Sequence, residues 1–410
     1  MARIVMKFGG TSVGDIERIR NVAKRVKGQW DAGHEIALVV SAMSGETNRL
    51  VDLCRQACHL HDLREYDTVI STGEQVTVGL LSIILQSMGV DARSWLAWQL
   101  PFHTSNAHGN ANIEHINCEK IIERFQTQSR QVAVIPGFQG VSPLDRVTTL
   151  GRGGSDTSAV AIAAALKADR CDIYTDVKGV YTTDPRLVSR AQKIDKVSHE
   201  EMLEMASLGA KVLQTRSVAL AMRHQVPVQV LSSFEDTPGT FIVPEEEIME
   251  TSNVTGIPFS KNEARITLNG VADRPGTSAA IFGALSEAGI NIDMIVQSRP
   301  NENQTTEMTF TVTDTDMSRA VALMEERQQE IGYVDLIASD QVAKVSIVGV
   351  GMRTNSGVAQ TMFRALWEKN INIQVITTSE IRVSVLIAQD YLELAVRALH
   401  TAFDLDAAEG

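Results

Sequence analysis

Ile4-Val5-Met6-Lys7-Phe8-Gly9-Gly10-Thr11-Ser12 is the stretch that decides the first half of the chain. A short apolar run ends in a lysine, two glycines and two hydroxyls, and an amphipathic stretch over 15–30 follows it. An unbroken apolar run marks a strand buried on both faces, and the amphipathic stretch marks a helix packed over it. The same cadence returns at once, with residues 36–40 reading as strand and 47–61 as helix. It predicts a parallel sheet covered by helices, with buried strands at 4–6, 37–40, 132–135, 173–174 and 228–231. Ligands of such sheets bind outside the carboxyl ends of the strands, which directs attention to the glycines and hydroxyls found there.

Four clusters sit at those ends. Around Lys7, amides freed by Gly9 and Gly10 and a helix N-terminus carrying about half a positive charge would form an anion site suited to phosphate. A tight turn with a solvated lysine explains the same six residues equally well. The run Thr148-Thr149-Leu150-Gly151-Arg152-Gly153-Gly154-Ser155-Asp156-Thr157-Ser158 leads into an alanine-rich helix and resembles a phosphate and carboxylate cradle more than a connector. Within it, Arg152 suits a bidentate grip on a carboxylate, and Asp156 suits orienting a lysine. Tyr174-Thr175-Asp176-Val177-Lys178-Gly179-Val180-Tyr181-Thr182-Thr183-Asp184-Pro185-Arg186 could stack and hydrogen-bond an adenosine, or be a surface turn. Lys211, in Gly209-Ala210-Lys211-Val212-Leu213, is a further cation or a solvated helix lysine.

Other chemistries find less support. No GxxxxGK[ST] or helix-opening GxGxxG is present, which argues against a P-loop NTPase or a Rossmann dehydrogenase. Cys54, Cys58 and His61 fall on one face of a predicted helix, but without a fourth ligand they read as ordinary thiols and not as a zinc site, and no metal ligands are assigned. With 38 Lys and Arg against 50 Asp and Glu, the net charge of −12 offers no footprint for nucleic acid. At 410 residues, 44% hydrophobic and 21% charged, the chain is globular and large enough for several domains. The longest small-apolar run, 159–166, falls short of the ~18–20 residues of a membrane span. The start has no signal-peptide pattern, and four cysteines form no disulfide framework, so a cytoplasmic protein without membrane partners is expected.

The second half is decided by a repeat. Gly270-Val271 recurs as Gly349-Val350; Gly276, Phe282, Ala284-Leu285, Ile290-Asn291-Ile292, Ile295 and Ser298 recur as Gly357, Phe363, Ala365-Leu366, Ile371-Asn372-Ile373, Ile376 and Ser379. Each copy reads strand, helix, strand, strand, helix, with a closing strand in the first, which is a βαββαβ unit. The expected division is a catalytic domain over 1–244, an acidic linker over 245–264, and repeats over 265–341 and 342–410.

In order along the chain, KFGGTSVG, VVSAMSGETNRL, STGEQV, GRGGSDTSA, YTDVKGVYTTDPR and GAKVL, followed by tandem repeats, resemble the aspartate kinases with two regulatory ACT domains. The resemblance implies an α/β chain: an αβα sandwich with a mainly parallel sheet, of amino acid kinase type, then two ferredoxin-like α+β ACT domains. It implies transfer of a phosphoryl group from ATP, with Mg²⁺ carried by its phosphates, to the side-chain carboxylate of L-aspartate. That would be the first step towards lysine, threonine and methionine. Lys7 and Asp156 would be catalytic, Asp156 by positioning Lys7. Ser41, Thr47, Glu74, Arg152, Gly153, Gly154 and Ser155 would line the substrate, with Glu74 on its ammonium and Arg152 on its α-carboxylate. Lys7, Phe8, Gly9, Gly10, Thr175, Asp176, Tyr181, Arg186 and Lys211 would face ATP. Lysine or threonine would bind as effector at Asp273, Gly276, Asn291, Ile292 and Gln297 of the first repeat and Asn372 and Ile373 of the second. A homo-oligomer, or an assembly with a regulatory subunit started internally at Met249, is the implied state.

The chain departs from the family at Gln214-Thr215, usually His-Pro, at Thr354-Asn355-Ser356, usually Ser-His-Pro, and over 97–106. Two alternatives are carried forward: a kinase of the same fold acting on another small carboxylate, and an amino-acid sensor that has lost catalysis. An aspartate side chain, with a pKa near ~3.9, is already an anionic nucleophile at neutral pH, so the lack of a catalytic His or Ser triad is expected of such a kinase.

Overall fold

The computed structural model describes residues 1–127, 129–210, 212–248, 253–301, 304–353, 355 and 357–406. The chain forms two compact units, residues 1–181 with 193–249, and residues 182–192 with 250–410. A continuous first domain over 1–244 therefore does not match the packing: an eleven-residue excursion belongs with the repeats. There Val188 is buried in the second repeat's core, and Thr183 Oγ1 donates to the Ile257 carbonyl at 2.8 Å.

The first unit is built on an eight-stranded sheet. Its order is Lys196–Ser198, Thr240–Val243, Val228–Ser232, Arg170–Thr175, Arg3–Phe8, Glu35–Val40, Val132–Pro136, Ala92–Ser94. Every neighbouring pair is parallel except Val228–Ser232 against Thr240–Val243. All five strands expected from apolar runs lie in this sheet. Phe8 stands opposite Val40 on one side and Tyr174 on the other, so three carboxyl ends finish level.

Alternation along the strands sorts the two faces. Ile4, Met6 and Phe8, with Ile36, Leu38, Val40, Val132 and Val134, pack against Ile19, Val22 and Val26 of the Ile16–Asp31 helix and Val78, Leu81 and Leu85 of the Thr72–Ser87 helix. Cutting a fully buried member such as Leu38 back to alanine costs about 2–5 kcal/mol. Lys7 therefore points to the opposite face, where the Gly154–Leu166 helix lies. Of that helix only Ala164 and Ala165 escape burial, because small side chains let it lie close between the strands and the Thr215–His224 helix.

Residues 63–87 are helical over a length and composition that would cross a membrane, but half of that window is buried inside the unit. Asp67 and Glu74 are among its buried residues, which marks a core helix pair. A four-stranded sheet, in the order Ile113–Ile116, Phe102–Thr104, Gln139–Val141, Val147–Thr149, was not expected from the sequence. The atypical stretch 97–106 supplies one of its strands.

The second unit carries a six-stranded, wholly antiparallel sheet. Its order is Ile295–Gln297, Thr305–Val312, Phe259–Ala272, Asp335–Val348, Arg382–Ala388, Ile373–Thr378. The two long central strands serve both repeats: 265–269 pairs with 335–339 to close the first, while Phe259 and Ser260 pair with Val345 and Lys344 in the second. Two helices cover each half, Thr277–Glu287 and Met317–Glu326, then Val358–Glu368 and Leu392–Ala402.

Candidate active site

Lys7 and Asp156 meet across the sheet and the helix over it. Lys7 Nζ stands 2.5 Å from Asp156 Oδ1, and both side chains are about nine-tenths buried, at 10% and 12% exposure. Gly9 adjoins the ammonium: a β-carbon there would lie 3.6 Å from Lys7 Nζ, in ordinary van der Waals contact. Beneath the turn, Phe8 stacks on Tyr174 with ring centroids 4.5 Å apart.

The helix dipole that serves this corner is not the one the glycine turn suggested. Gly10–Val13 is a short 3₁₀ turn, and the Ile16–Asp31 helix is already capped by Asp15, whose carboxylate accepts from the Arg18 N–H at 2.8 Å. An uncapped N-terminus is found at the Gly154–Leu166 helix, where Gly153 holds the N-cap position without a side-chain hydrogen bond. Such an end presents N–H donors and partial positive charge to an anion.

Glycine is required in the cradle by position. Gly151 and Gly153 have φ of +74° and +69°, and a β-carbon on Gly153 would fall 1.8 Å from Gln214 Cγ. Gln214, one of the departures from the family pattern, thus packs on the cradle itself. Arg152 between them is exposed, while Gly154, Ser155 and Asp156 are buried. Gly137 and Phe138, which the sequence reading missed, form the opposing wall: a β-carbon on Gly137 would lie 2.8 Å from Ser155 Oγ. Phe138 holds a left-handed φ of +72°, its N–H donating to Ser158 Oγ and its carbonyl accepting from the Leu150 N–H. Their place just after a parallel strand was the signal that could have found them.

Glu74 joins the site from another side. It is 3% exposed; Oε1 accepts from the Ala42 N–H at 3.1 Å, and Oε2 has no partner among the described residues. Burial pushes its carboxyl up to about 7, against the pull of the Ala42 N–H and its own backbone N–H. Ser41 precedes Ala42 at the end of the Glu35–Val40 strand, its N–H bonded to the Phe8 carbonyl. Thr47 opens the Glu46–Ala57 helix two residues beyond left-handed Gly45. Gly10 and Gly73 both need to be glycine against Ala42, with β-carbons that would stand 3.0 Å from its carbonyl and 2.8 Å from its Cβ. The Gly9-Gly10 turn, the Ser41-Ala42 turn and Glu74 are thereby one contiguous corner.

Of the residues expected to face ATP, Thr175 ends its strand beside this corner, and the Gly9 N–H bonds the preceding Tyr174 carbonyl at 3.4 Å. Asp176 accepts from Thr175 Oγ1, and Tyr181 bridges to Lys193. Arg186 lies in the excursion that belongs to the second unit, where it pairs with Asp184 at 2.7 Å. Lys211, Thr354 and Ser356 lie outside the described residues. Cys54, Cys58 and His61 do not share a helix face, because the helix ends at Ala57 and His61 turns back to bond the Cys58 carbonyl.

In the second unit, Asp273 is exposed after the Phe259–Ala272 strand and Gly276, with φ +95°, caps the Thr277–Glu287 helix. Asn291, Ile292 and Gln297 flank the edge strand Ile295–Gln297, whereas Asn372 and Ile373 enter the edge strand on the far side of the sheet. Asn291, Ile292 and Gln297 therefore lie at the opposite edge of one chain's sheet from Asn372 and Ile373, while Asp273 and Gly276 follow a central strand.

Fold and site define a phosphoryl-transfer enzyme of amino acid kinase type joined to a tandem βαββαβ repeat. The model of the amino acid kinase family matches residues 2–232, and that of the ACT domain matches 266–328 and 345–403. An aspartate kinase of Stutzerimonas stutzeri is 54% identical over 100% of this chain and 99% of its own length. An aspartokinase of Pseudomonas aeruginosa is 53% identical, covering 99% and 98%. Escherichia coli aspartokinase III in complex with aspartate and ADP is 27% identical, with a TM-score of 0.79 over 98% of this chain and 99% of that one. The chain belongs to the aspartate kinases, enzymes that phosphorylate a carboxyl group of aspartate.

Proposed function

We propose that the corner between Lys7 and Glu74 transfers the γ-phosphoryl group of ATP to the side-chain carboxylate of L-aspartate, giving 4-phospho-L-aspartate for lysine, threonine and methionine synthesis. The observation that carries this reading is a nearly buried Lys7–Asp156 ion pair together with a buried Glu74 oxygen that has no partner among the described residues. A buried carboxylate oxygen left unpaired is costly, and a substrate ammonium supplies the missing partner. Arg152 takes the α-carboxylate, which leaves the side-chain carboxylate free to attack in line. Asp156 holds the Lys7 ammonium on the side of the incoming phosphates, where its charge is matched to that developing in the transition state. Thr175, Asp176 and Tyr181 take the nucleoside.

Among the described residues no group of three or more His, Cys, Asp or Glu could hold a metal ion alone. Mg²⁺ would be carried chiefly by the nucleotide phosphates, whose charge it would neutralise. The opposite placement of Asn291 and Gln297 from Asn372 and Ile373 supports an effector site shared between edges of two chains, and so a homo-oligomer or an assembly with a regulatory subunit started at Met249, which lies outside the described residues. Lysine is the first effector to test, since aspartokinase III of Escherichia coli is known in complex with lysine and aspartate. Four free cysteines support a cytoplasmic setting.

The test is ADP release with aspartate, glutamate or acetylglutamate as acceptor, repeated with lysine, threonine and both. Release with aspartate alone, suppressed by an effector, is expected; equal release with glutamate would overturn the substrate assignment.

A further inference from the structure

Asp67 lies on the Leu63–Ile70 helix, wholly buried, and no step of phosphoryl transfer uses it. A carboxylate so placed is tolerated only when its oxygens are satisfied. Here they are: Asp67 Oδ2 accepts from His108 Nδ1 at 2.8 Å and from the Gly109 N–H at 3.0 Å, and Oδ1 accepts from Thr149 Oγ1 at 2.6 Å. The donors come from two other elements, the loop over 105–112 and the Val147–Thr149 strand.

Both of these lead to the cradle. The loop closes through Ser105 N–H to the Asn112 carbonyl and is tied to the strand by Ala111 N–H to the Thr149 carbonyl, each at 2.8 Å. Arg216 repeats the tie, donating to the Leu150 and Ala111 carbonyls at 3.0 and 2.7 Å. Asn110 crowds Gly151, where a β-carbon would fall 2.7 Å from its Oδ1. The loop is thus the wall behind the left-handed turn that presents Arg152, three residues after Thr149. From Asp67 the chain passes through Ser71 into the helix that carries Glu74. One buried carboxylate spans the supports of both substrate-holding side chains.

We propose that the Asp67–His108 pair is a positioning device that sets the separation of Glu74 from Arg152, and with it the affinity for an amino acid of aspartate's length. This rests on the assignment of those two residues to the substrate. His108 donates from Nδ1, while its Nε2 is buried without a partner among the described residues, so the ring acts as a spacer with one committed hydrogen bond.

The experiment measures KM for aspartate, KM for ATP, kcat and Tm for the full chain and for Asp67→Asn, His108→Phe and His108→Asn, with Glu74→Gln and Arg152→Ala as references. A small displacement of a binding group costs up to about 100-fold. Asp67→Asn and His108→Phe are expected to raise KM for aspartate roughly 10–100-fold with KM for ATP within about twofold. His108→Asn, whose amide N–H can stand near the position of Nδ1, is expected to recover most of the loss. If Asp67→Asn does not fold, the two His108 variants decide the matter. Lower Tm with both KM values unchanged, or equal losses in His108→Phe and His108→Asn, would overturn the positioning role. Should Glu74→Gln and Arg152→Ala also leave KM for aspartate unchanged, it is the underlying site assignment that fails.

Discussion

With Glu74 on the substrate ammonium, as proposed above, the affinity of the free enzyme for aspartate should depend on pH in a range where most carboxylates are silent. Its carboxyl stands at about 7 against an ordinary 4.5, with burial as the leading cause. Only the ionised form can accept the substrate ammonium, so KM for aspartate should scale as 1 + 10^(pKa − pH). That factor is about 11 at pH 6, about 2 at pH 7 and about 1.1 at pH 8, whereas a carboxyl at its ordinary value would vary by only a few per cent. In the bound complex the ammonium holds Glu74 ionised, so kcat should stay flat while kcat/KM for aspartate rises about tenfold from pH 6 to 8. Glu74→Gln should lose this slope and bind aspartate weakly at every pH. The stability sign is opposite: a folded pKa raised above the unfolded one favours folding below about 4.5, and that contribution is lost as pH rises through about 7. The loss is on the order of 3 kcal/mol at the 3% exposure of this side chain. Ligand-free Glu74→Gln should therefore melt no lower than the parent at pH 8, and aspartate at a concentration that saturates the parent should stabilise the parent more than the variant. Steady-state kinetics across pH 6–8 and thermal melts decide it. A flat KM for aspartate in the parent, or a slope kept in Glu74→Gln, would refute the reasoning.

Lys7→Ala should lower kcat by ~10²–10³-fold, as loss of a transition-state charge does, and unchanged kcat with raised KM for ATP would contradict its role. Arg152→Ala should weaken aspartate by about 2–5 kcal/mol with ATP binding spared, as calorimetric titration of each ligand would reveal. Gly153→Ala should cost at least about 1 kcal/mol of stability from its left-handed φ and should raise KM for aspartate through collision with Gln214, a loss that Gln214→Ala in the same chain should partly recover. Asn291→Ala or Gln297→Ala should leave uninhibited kcat intact and move the inhibition midpoint upward by roughly 5–150-fold, and an unmoved midpoint would free the repeats from effector binding.

The parallel sheet was legible because strands buried on both faces must be apolar throughout, as residues 37–40 and 132–135 are. The repeat was legible because two copies carry the same residues in register. Lys7, Arg152 and Asp156 stood out as charged side chains next to glycines at strand ends. What stayed hidden depends on partners distant in sequence. Asp67 and His108 are 41 positions apart, and neither has a local pattern that announces burial. Phe138 carries a left-handed backbone that no aromatic residue advertises. The small four-stranded sheet escaped notice because its strands span only three or four residues. Asp15 caps the Ile16–Asp31 helix, which closes the helix end that the glycine turn was expected to offer. The excursion over 182–192 looks like part of the nucleotide turn, but its apolar Val188 is claimed by another core.

The central claim is that the Lys7 corner makes an acyl phosphate on the side-chain carboxylate of aspartate, and trapping that product with hydroxylamine tests it most directly. With ATP and aspartate, mass spectrometry should find aspartate 4-hydroxamate from the parent chain, almost none from Lys7→Ala, and a yield from Glu74→Gln that is restored only at high aspartate. No hydroxamate from the parent, hydroxamate on the α-carboxylate, or an undiminished yield from Lys7→Ala would contradict the account.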